Sequence, residues 1–316
     1  MFLFQDAMTE MYPISKEKKR GQNNQQTMQK RREFLKSVGC VAGATVVVAN
    51  PGWAAWFSKE PTAKKFGIQL YTLRDIINGK AKEVITALAK FGYTQIESYE
   101  GPQGIYWDMK PGEFKKFTAD LGMELISTHC NIYTNFEQKV EEAAAANLKY
   151  LICPWVGPQR SIDNYKKLAT VFNEKAKRCA SYGVQFAYHN HDYSFKKMNG
   201  VYPQDILMQE TDPALVCFEM DMYWVVSAGE DPLEWLKKYP GRFELSHIKD
   251  RSQFPINKEK YESVDLGTGS IDFKQLIPDA KQLGLKYILM EQEFYPGGSP
   301  LLAAEVGASY LKKIKF

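Results

Sequence analysis

Histidine is scarce in this chain, with four among 316 residues. That is too few for a multinuclear zinc cluster built mainly on imidazoles. Cysteine is also rare, five in all, and no two stand in a Cys-x-x-Cys or other close pair. Neither a zinc knuckle nor a disulfide framework is therefore expected, and the cysteines near apolar runs read as small apolar residues. No apolar run approaches the roughly 20 residues of a stable membrane span. No Gly-x-Gly-x-x-Gly follows the first strand-like segment, which removes the usual dinucleotide-binding signature. A charge surplus is missing too. The formal net charge is +4, but residues 1–58 carry eight Lys/Arg against four acids, leaving 33 of each sign in the remainder. A near-neutral domain has no global electrostatic footprint for nucleic acid.

What is present begins with an export-like leader. Lys30-Arg31-Arg32-Glu33-Phe34-Leu35-Lys36 precedes a mild apolar stretch from Val38 to Ala49. Positive flank, short apolar stretch and small residues are the order of a secretory signal. The paired arginines resemble a twin-arginine (Tat) signal, so the Tat export machinery is an expected partner and the periplasm the expected location. Cys40 opens the apolar stretch rather than following it, which argues against a lipoprotein site. Residues 1–58 are thus read as a leader region and 59–316 as one domain.

From Phe66 onward, strand-like and helix-like segments alternate. Short apolar runs at 66–71, 92–98, 123–128, 150–153, 183–187, 215–221, 243–247 and 287–291 read as strands. Glycines at 92, 122, 183 and 284 stand where helices end, and Ser299-Pro300 reads as the start of the last helix. Strand–helix alternation repeated eight times in about 250 residues is the pattern of a (β/α)8 barrel.

Barrel enzymes carry their chemistry at the C-terminal strand ends. Those ends read Glu97, His129, Cys153 with Trp155, His189 and His191, Asp221, His247 with Lys249 and Asp250, and Glu291 with Glu293. The fifth strand carries His189 and His191, which are two apart and so point to the same face. Carboxylates and imidazoles converging from different strands suit one divalent ion such as Mn²⁺, Zn²⁺, Co²⁺ or Mg²⁺. Each residue also has a plain reading: Asp221 as a cap of the next turn, His129 as a buried donor, Trp155 and Trp224 as core aromatics.

The segments Gly67-Ile68-Gln69-Leu70-Tyr71-Thr72-Leu73-Arg74, Tyr188-His189-Asn190-His191-Asp192, Asp221 through Asp231-Pro232, His247-Ile248-Lys249-Asp250, Leu266-Gly267-Thr268-Gly269-Ser270-Ile271-Asp272-Phe273 and Glu291-Gln292-Glu293 carry a resemblance. From about Lys65 to its end the chain resembles the sugar phosphate isomerase/epimerase family, the xylose isomerase-like barrels of the AP endonuclease 2 superfamily. The resemblance implies a metal held by Asp221, His247 and Glu291. The family's further carboxylate on the fifth strand has no clean match here. His191 is assigned in its place, with His189 the alternative. It also implies isomerisation or epimerisation of a sugar or keto-sugar by proton abstraction next to a carbonyl, through an enediolate. Glu291 and His189 are then expected to move the proton, and Lys249 to hold a substrate oxygen. Glu97, His129, Trp155, Trp224 and Glu293 would surround the substrate. Elimination from a 3-keto-glycoside by a lyase or hydrolase-like enzyme is the alternative chemistry, and a non-catalytic sugar-binding protein of the envelope the alternative class. A DNA-repair nuclease on the same fold is disfavoured, because Trp224 stands where that activity expects a histidine.

Overall fold

The computed structural model describes residues 64–255 and 261–316, so the expected export segment lies outside the described residues. Eight parallel strands close into a barrel. They are β1 (Gly67–Gln69), β2 (Gln95–Tyr99), β3 (Glu124–His129), β4 (Tyr150–Cys153), β5 (Gln185–His189), β6 (Val216–Asp221), β7 (Phe243–Ile248) and, after a ribbon described below, β10 (Tyr287–Met290). β1 pairs with both β2 and β10, so first and last strands form the closing seam. Helices cover the outside: α1 (Ala81–Phe91), α2 (Pro111–Asp120), α3 (Phe136–Ala146), α4 (Ile162–Ala180), α5 (Pro203–Glu210), α6 (Met222–Ser227), α7 (Pro232–Lys238), α8 (Phe273–Gln282) and α9 (Pro300–Leu311). None of the helices among the described residues is long and apolar enough to cross a membrane.

Strands covered on both faces must be apolar on both, which is why they read as short unbroken runs. β2 and β6 are buried at every position. One apolar cluster fills the space between barrel and helices, while a second, smaller one holds Ile126, Ile152, Ala187, Cys217, Leu245 and Leu289. Stepping two residues along a strand keeps the same face. Cys217 therefore leads to Glu219 and Asp221, Leu245 to His247, Ala187 to His189 and Leu289 to Glu291. The inner face turns from apolar to ionisable toward the C-terminal mouth.

Two register shifts act on that change. The β2–β3 pairing slips between Ile96 and Glu97, and the β6–β7 pairing between Phe218 and Glu219. Such irregularities re-aim side chains next to sites, and each here immediately precedes a buried carboxylate. The helix ends follow local chemistry. Gly92 closes α1 at φ 96°, a left-handed conformation that strains residues with a Cβ. Ser299 caps α9, its hydroxyl accepting from Leu302 N, with Pro300 at the first helical position. Cys130, Cys153, Cys179 and Cys217 are buried free thiols, and burial pushes those of Cys153 and Cys179 up to about 12.

Three pieces go beyond the sequence reading. α6 starts directly on β6, β8 (Asp250–Arg251) pairs antiparallel with β9 (Ser263–Val264) as a two-stranded ribbon, and 3-10 turns follow β1 and His191. Asp250, read from sequence among the strand-end groups, belongs to this ribbon. Its carboxylate accepts from the backbone N–H of Arg251, Gly267, Gly269 and Ile271. It organises the Leu266–Ile271 loop instead of facing the barrel mouth.

Candidate metal centre

Four side chains meet at the mouth: His189 at the end of β5, Asp221 at the end of β6, His247 in β7 and Glu291 just past β10. His189 Nε2 lies 3.5 Å from Asp221 Oδ2. His247 Nδ1 lies 3.9 Å from the same oxygen and 3.3 Å from Glu291 Oε2. His189 Nε2, His247 Nδ1 and Asp221 Oδ2 are buried and lack a well-formed hydrogen bond, although Lys249 Nζ stands 3.1 Å from Asp221 Oδ2 as an ion pair. Leaving a buried polar atom unsatisfied costs about 1–3 kcal/mol, so two imidazole nitrogens converging on one carboxylate oxygen call for a common partner. Donors bound at about 2.1 Å to one ion in tetrahedral array stand roughly 3.4 Å apart. The spacings among His189, Asp221 and His247, and from His247 to Glu291, lie close to that figure, and the donor set of imidazole and carboxylate suits a borderline divalent cation. The residues present therefore fit one divalent ion.

A second group lies beneath, made of Glu97, His129, Glu219 and the other face of His247. These four also lie within 4.8 Å of one another, but their geometry differs. His247 Nε2 is 2.6 Å from Glu97 Oε1, and His129 Nε2 is 2.7 Å from Glu219 Oε2. Those are hydrogen-bond lengths, too short for separate ligands of one ion. Gln69 Nε2 and Ser127 Oγ donate to Glu97 at 2.7 and 2.5 Å. This tier is a proton network that serves the upper one. His247 donates from Nε2 to Glu97. Burial alone would lower its pKa, but Glu219 and Glu291 raise it well above the usual imidazole value, so an ion would have to displace the Nδ1 proton to reach the lone pair on the side of Asp221 and Glu291. His189 is set in the same way: Nδ1 donates to the Pro154 carbonyl at 3.2 Å, leaving the Nε2 lone pair toward Asp221. Such outer partners fix the tautomer of a metal-ligating imidazole.

The charges are mutually supported. Burial alone would raise the Glu97 carboxyl, yet His129 and His247 hold it well below the usual range. Burial also opposes ionisation of Asp221, but Lys249 and His189 bring it down to about 2. Lys249 and His247 likewise outweigh burial at Glu291 and hold it low. Glu293 goes the other way, raised chiefly by burial.

Asp221 serves two neighbours. Its Oδ1 accepts from Trp224 N and caps α6, while Oδ2 faces the imidazoles. Asn190 clamps the adjoining strand ends, donating to Asp221 O and accepting from Asp221 N, both at 3.2 Å.

The structure moves two expected histidine positions. His189, not His191, stands with Asp221 and His247 in the ligand group. β5 ends at His189, so the two-residue repeat that would place both rings on one face stops there. His191 instead precedes a 3-10 turn, its ring 5.7 Å from Tyr193, 5.4 Å from Trp224 and 5.0 Å from His189. Both its nitrogens are buried without a hydrogen-bond partner. Burial, then the charges of His189 and Lys249, keep its pKa well below the usual imidazole value. Glu97 and His129 join the carboxylate–imidazole network around His247, Glu97 bonded to its Nε2 and the His129 ring stacked on it with centres 5.2 Å apart. Lys249 is fully buried against Asp221, Glu291 and Glu293. Trp224 is half-buried beside His191 with its indole N–H unpartnered, whereas Trp155 is half-buried against Gly157, one residue past the carbonyl that holds His189. Glu219 and Asn190 escape the sequence reading. Glu219 was findable, because it stands two residues before Asp221 on a strand and so shares its face.

Comparison with known proteins agrees with this picture. The family described as xylose isomerase-like TIM barrel matches residues 85–314. The chain is similar to inosose dehydratase of Clostridium perfringens, 31% identical over 172 residues that cover 48% of this chain and 55% of that protein. It thus spans about half the length of such curated relatives. Among solved structures, a sugar phosphate isomerase/epimerase from Parabacteroides distasonis is 25% identical with a TM-score of 0.69, covering 82% of this chain and 98% of that one. The IolI protein, solved with a zinc atom, shares the fold at 18% identity and a TM-score of 0.66, covering 79% of this chain and 98% of that one. A closed eight-stranded barrel, a metal-competent mouth and a match over most of the sequence lead to one statement: this chain belongs to the xylose isomerase-like TIM barrel family.

Proposed function

We propose that the chain is a divalent-metal-dependent lyase that eliminates a β-oxygen from a cyclic polyhydroxy ketone. The observation that carries this reading is His191, a buried imidazole with two unpartnered nitrogens, held neutral beside the ligand set. Similarity to inosose dehydratases favours elimination over the isomerase or epimerase expected from sequence.

His189, Asp221, His247 and Glu291 would hold the ion, which when bound supplies Lewis-acid polarisation of the substrate carbonyl. His191 takes the proton from the carbon next to that carbonyl at one of its free ring nitrogens. A neutral base with a low pKa stays unprotonated at neutral pH, as this step requires. Lys249 Nζ donates a proton to the departing β-oxygen as the carbon–oxygen bond breaks and the carbon–carbon double bond forms. Water or an alcohol leaves, and no oxidant is needed. Trp224 offers the sugar ring a face, and Glu293 keeps Lys249 oriented through a 2.8 Å contact. Isomerisation shares the first proton transfer, and the Parabacteroides relative supports keeping it as the second reading.

The experiment is incubation of the purified, Mn²⁺-loaded protein with inososes and 3-keto-glycosides. Elimination predicts an enone product, detected by ultraviolet absorbance and mass loss of water or an aglycone. His191→Gln should lower kcat by about 10²–10⁴-fold with metal content unchanged. Exchange of the α-proton in D₂O without any loss of mass would favour isomerisation, and neither signal across the panel would overturn both. Export through the twin-arginine-like segment is a separate proposal. Cell fractionation should find the protein outside the cytoplasm, and replacing Arg31 and Arg32 by lysine should retain it inside.

A further inference from the structure

Lys249 occupies an unusual place for a fully buried ammonium. Its Nζ stands 3.1 Å from Asp221 Oδ2, 2.9 Å from Glu291 Oε2 and 2.8 Å from Glu293 Oε1. The first two oxygens are the same atoms that face His189 and His247 across the ligand set. The third belongs to Glu293, outside that set. Tyr223 and Trp224 line the other side, their ring centres 5.2 and 5.1 Å from Nζ. A fixed positive charge thus shares two oxygens with the position a divalent cation would take. Like charges a few ångströms apart in a dry site repel strongly, and both cannot draw fully on the same pair of oxygens.

We propose that Lys249 is a built-in competitor of the divalent ion: it neutralises Asp221 and Glu291 beforehand and withdraws onto Glu293 when the ion binds. Glu293 then sets how easily the ammonium gives way. The pair tunes the site toward an ion that is acquired and released instead of one that is locked in. Glu293 works as a positioning residue here, acting through Lys249. The inference rests on reading His189, Asp221, His247 and Glu291 as ligands.

Mn²⁺ and Zn²⁺ affinity, measured on the full chain by competition with a chromophoric chelator, tests it apart from activity. Lys249→Met should bind at least tenfold more tightly than the native protein, and Lys249→Gln, which keeps a donor but no charge, should do the same. Glu293→Gln should bind about tenfold more weakly in the native background. That loss should shrink below twofold when combined with Lys249→Met, because Glu293 would have no ammonium left to receive. Simple loss of a negative charge predicts the opposite, an equal cost in both backgrounds, and that result would overturn the proposal. So would neutral Lys249 variants that bind no more tightly. A native protein that binds neither ion would overturn the ligand reading itself, a distinguishable failure.

Discussion

Glu97 lies below the ligand set, yet its carboxylate decides which ring nitrogen of His247 faces Asp221 and Glu291. Glu97→Gln keeps the shape but offers an amide whose own protons compete for that role. The expected outcome is a 10- to 100-fold loss of metal affinity, read by calorimetric titration. His129 gives a pH signature. Burial alone would lower its pKa, but Glu97 and Glu219 outweigh burial and raise it to about 9. The folded pKa lies above the ordinary imidazole value of about 6.5, so the folded chain keeps a proton that the unfolded chain releases first. Its stabilisation is therefore complete below pH ~6.5 and is lost as pH rises through about 9. In chelator, the stability gap between the native protein and His129→Gln should narrow across that window in denaturant titrations. At this scale the sequence placed His129, His189 and Asp221 at the ends of strands, where the structure has them. It did not distinguish His189 from His191, because a two-residue repeat says nothing about where a strand stops. Nor did it show Glu97 and His129 bonded to His247 and Glu219, since contacts across the barrel depend on register shifts that no local pattern encodes.

Among the elements, the loop after β9 depends on Asp250 and on glycine. A Cβ on Gly269 would stand 2.2 Å from Asp250 Oδ1 and 2.3 Å from the Arg251 carbonyl. Neither neighbour can retreat, one being backbone and the other tied by four N–H donors. Gly269→Ala should therefore cost about 2 kcal/mol or more by chemical denaturation, the range of overpacking in a close-fitted place. The eight strands were legible because parallel strands covered on both faces leave unbroken apolar runs, and α9 because Ser299-Pro300 is a local capping signal. The six residues of α6 and the two-residue strands β8 and β9 were not. Elements that short carry too few periods to register as a pattern, and they owe their existence to Asp221 and Asp250, whose side chains bind the backbone.

For the whole molecule, a site assembled from four strands ties ion binding to the folded state. An ion at a hundred times its dissociation constant stabilises by about 2.7 kcal/mol. For a barrel of this size that corresponds to a rise in Tm of about 5–10 °C. Scanning calorimetry with Mn²⁺ and then with a chelator should show that difference, and equal melting temperatures would mean no ion is held. The seam between β1 and β10 has a consequence for synthesis. On the side away from β2, Gly67 and Ile68 find their partners in Leu289 and Met290, more than 200 residues later. A ribosome must therefore release the chain through Met290 before the cylinder can shut. Until then the nascent sheet carries two open borders, each a template for unwanted strand addition, and a chain stopped short of Tyr287 is predicted to precipitate instead of persisting as a partial barrel.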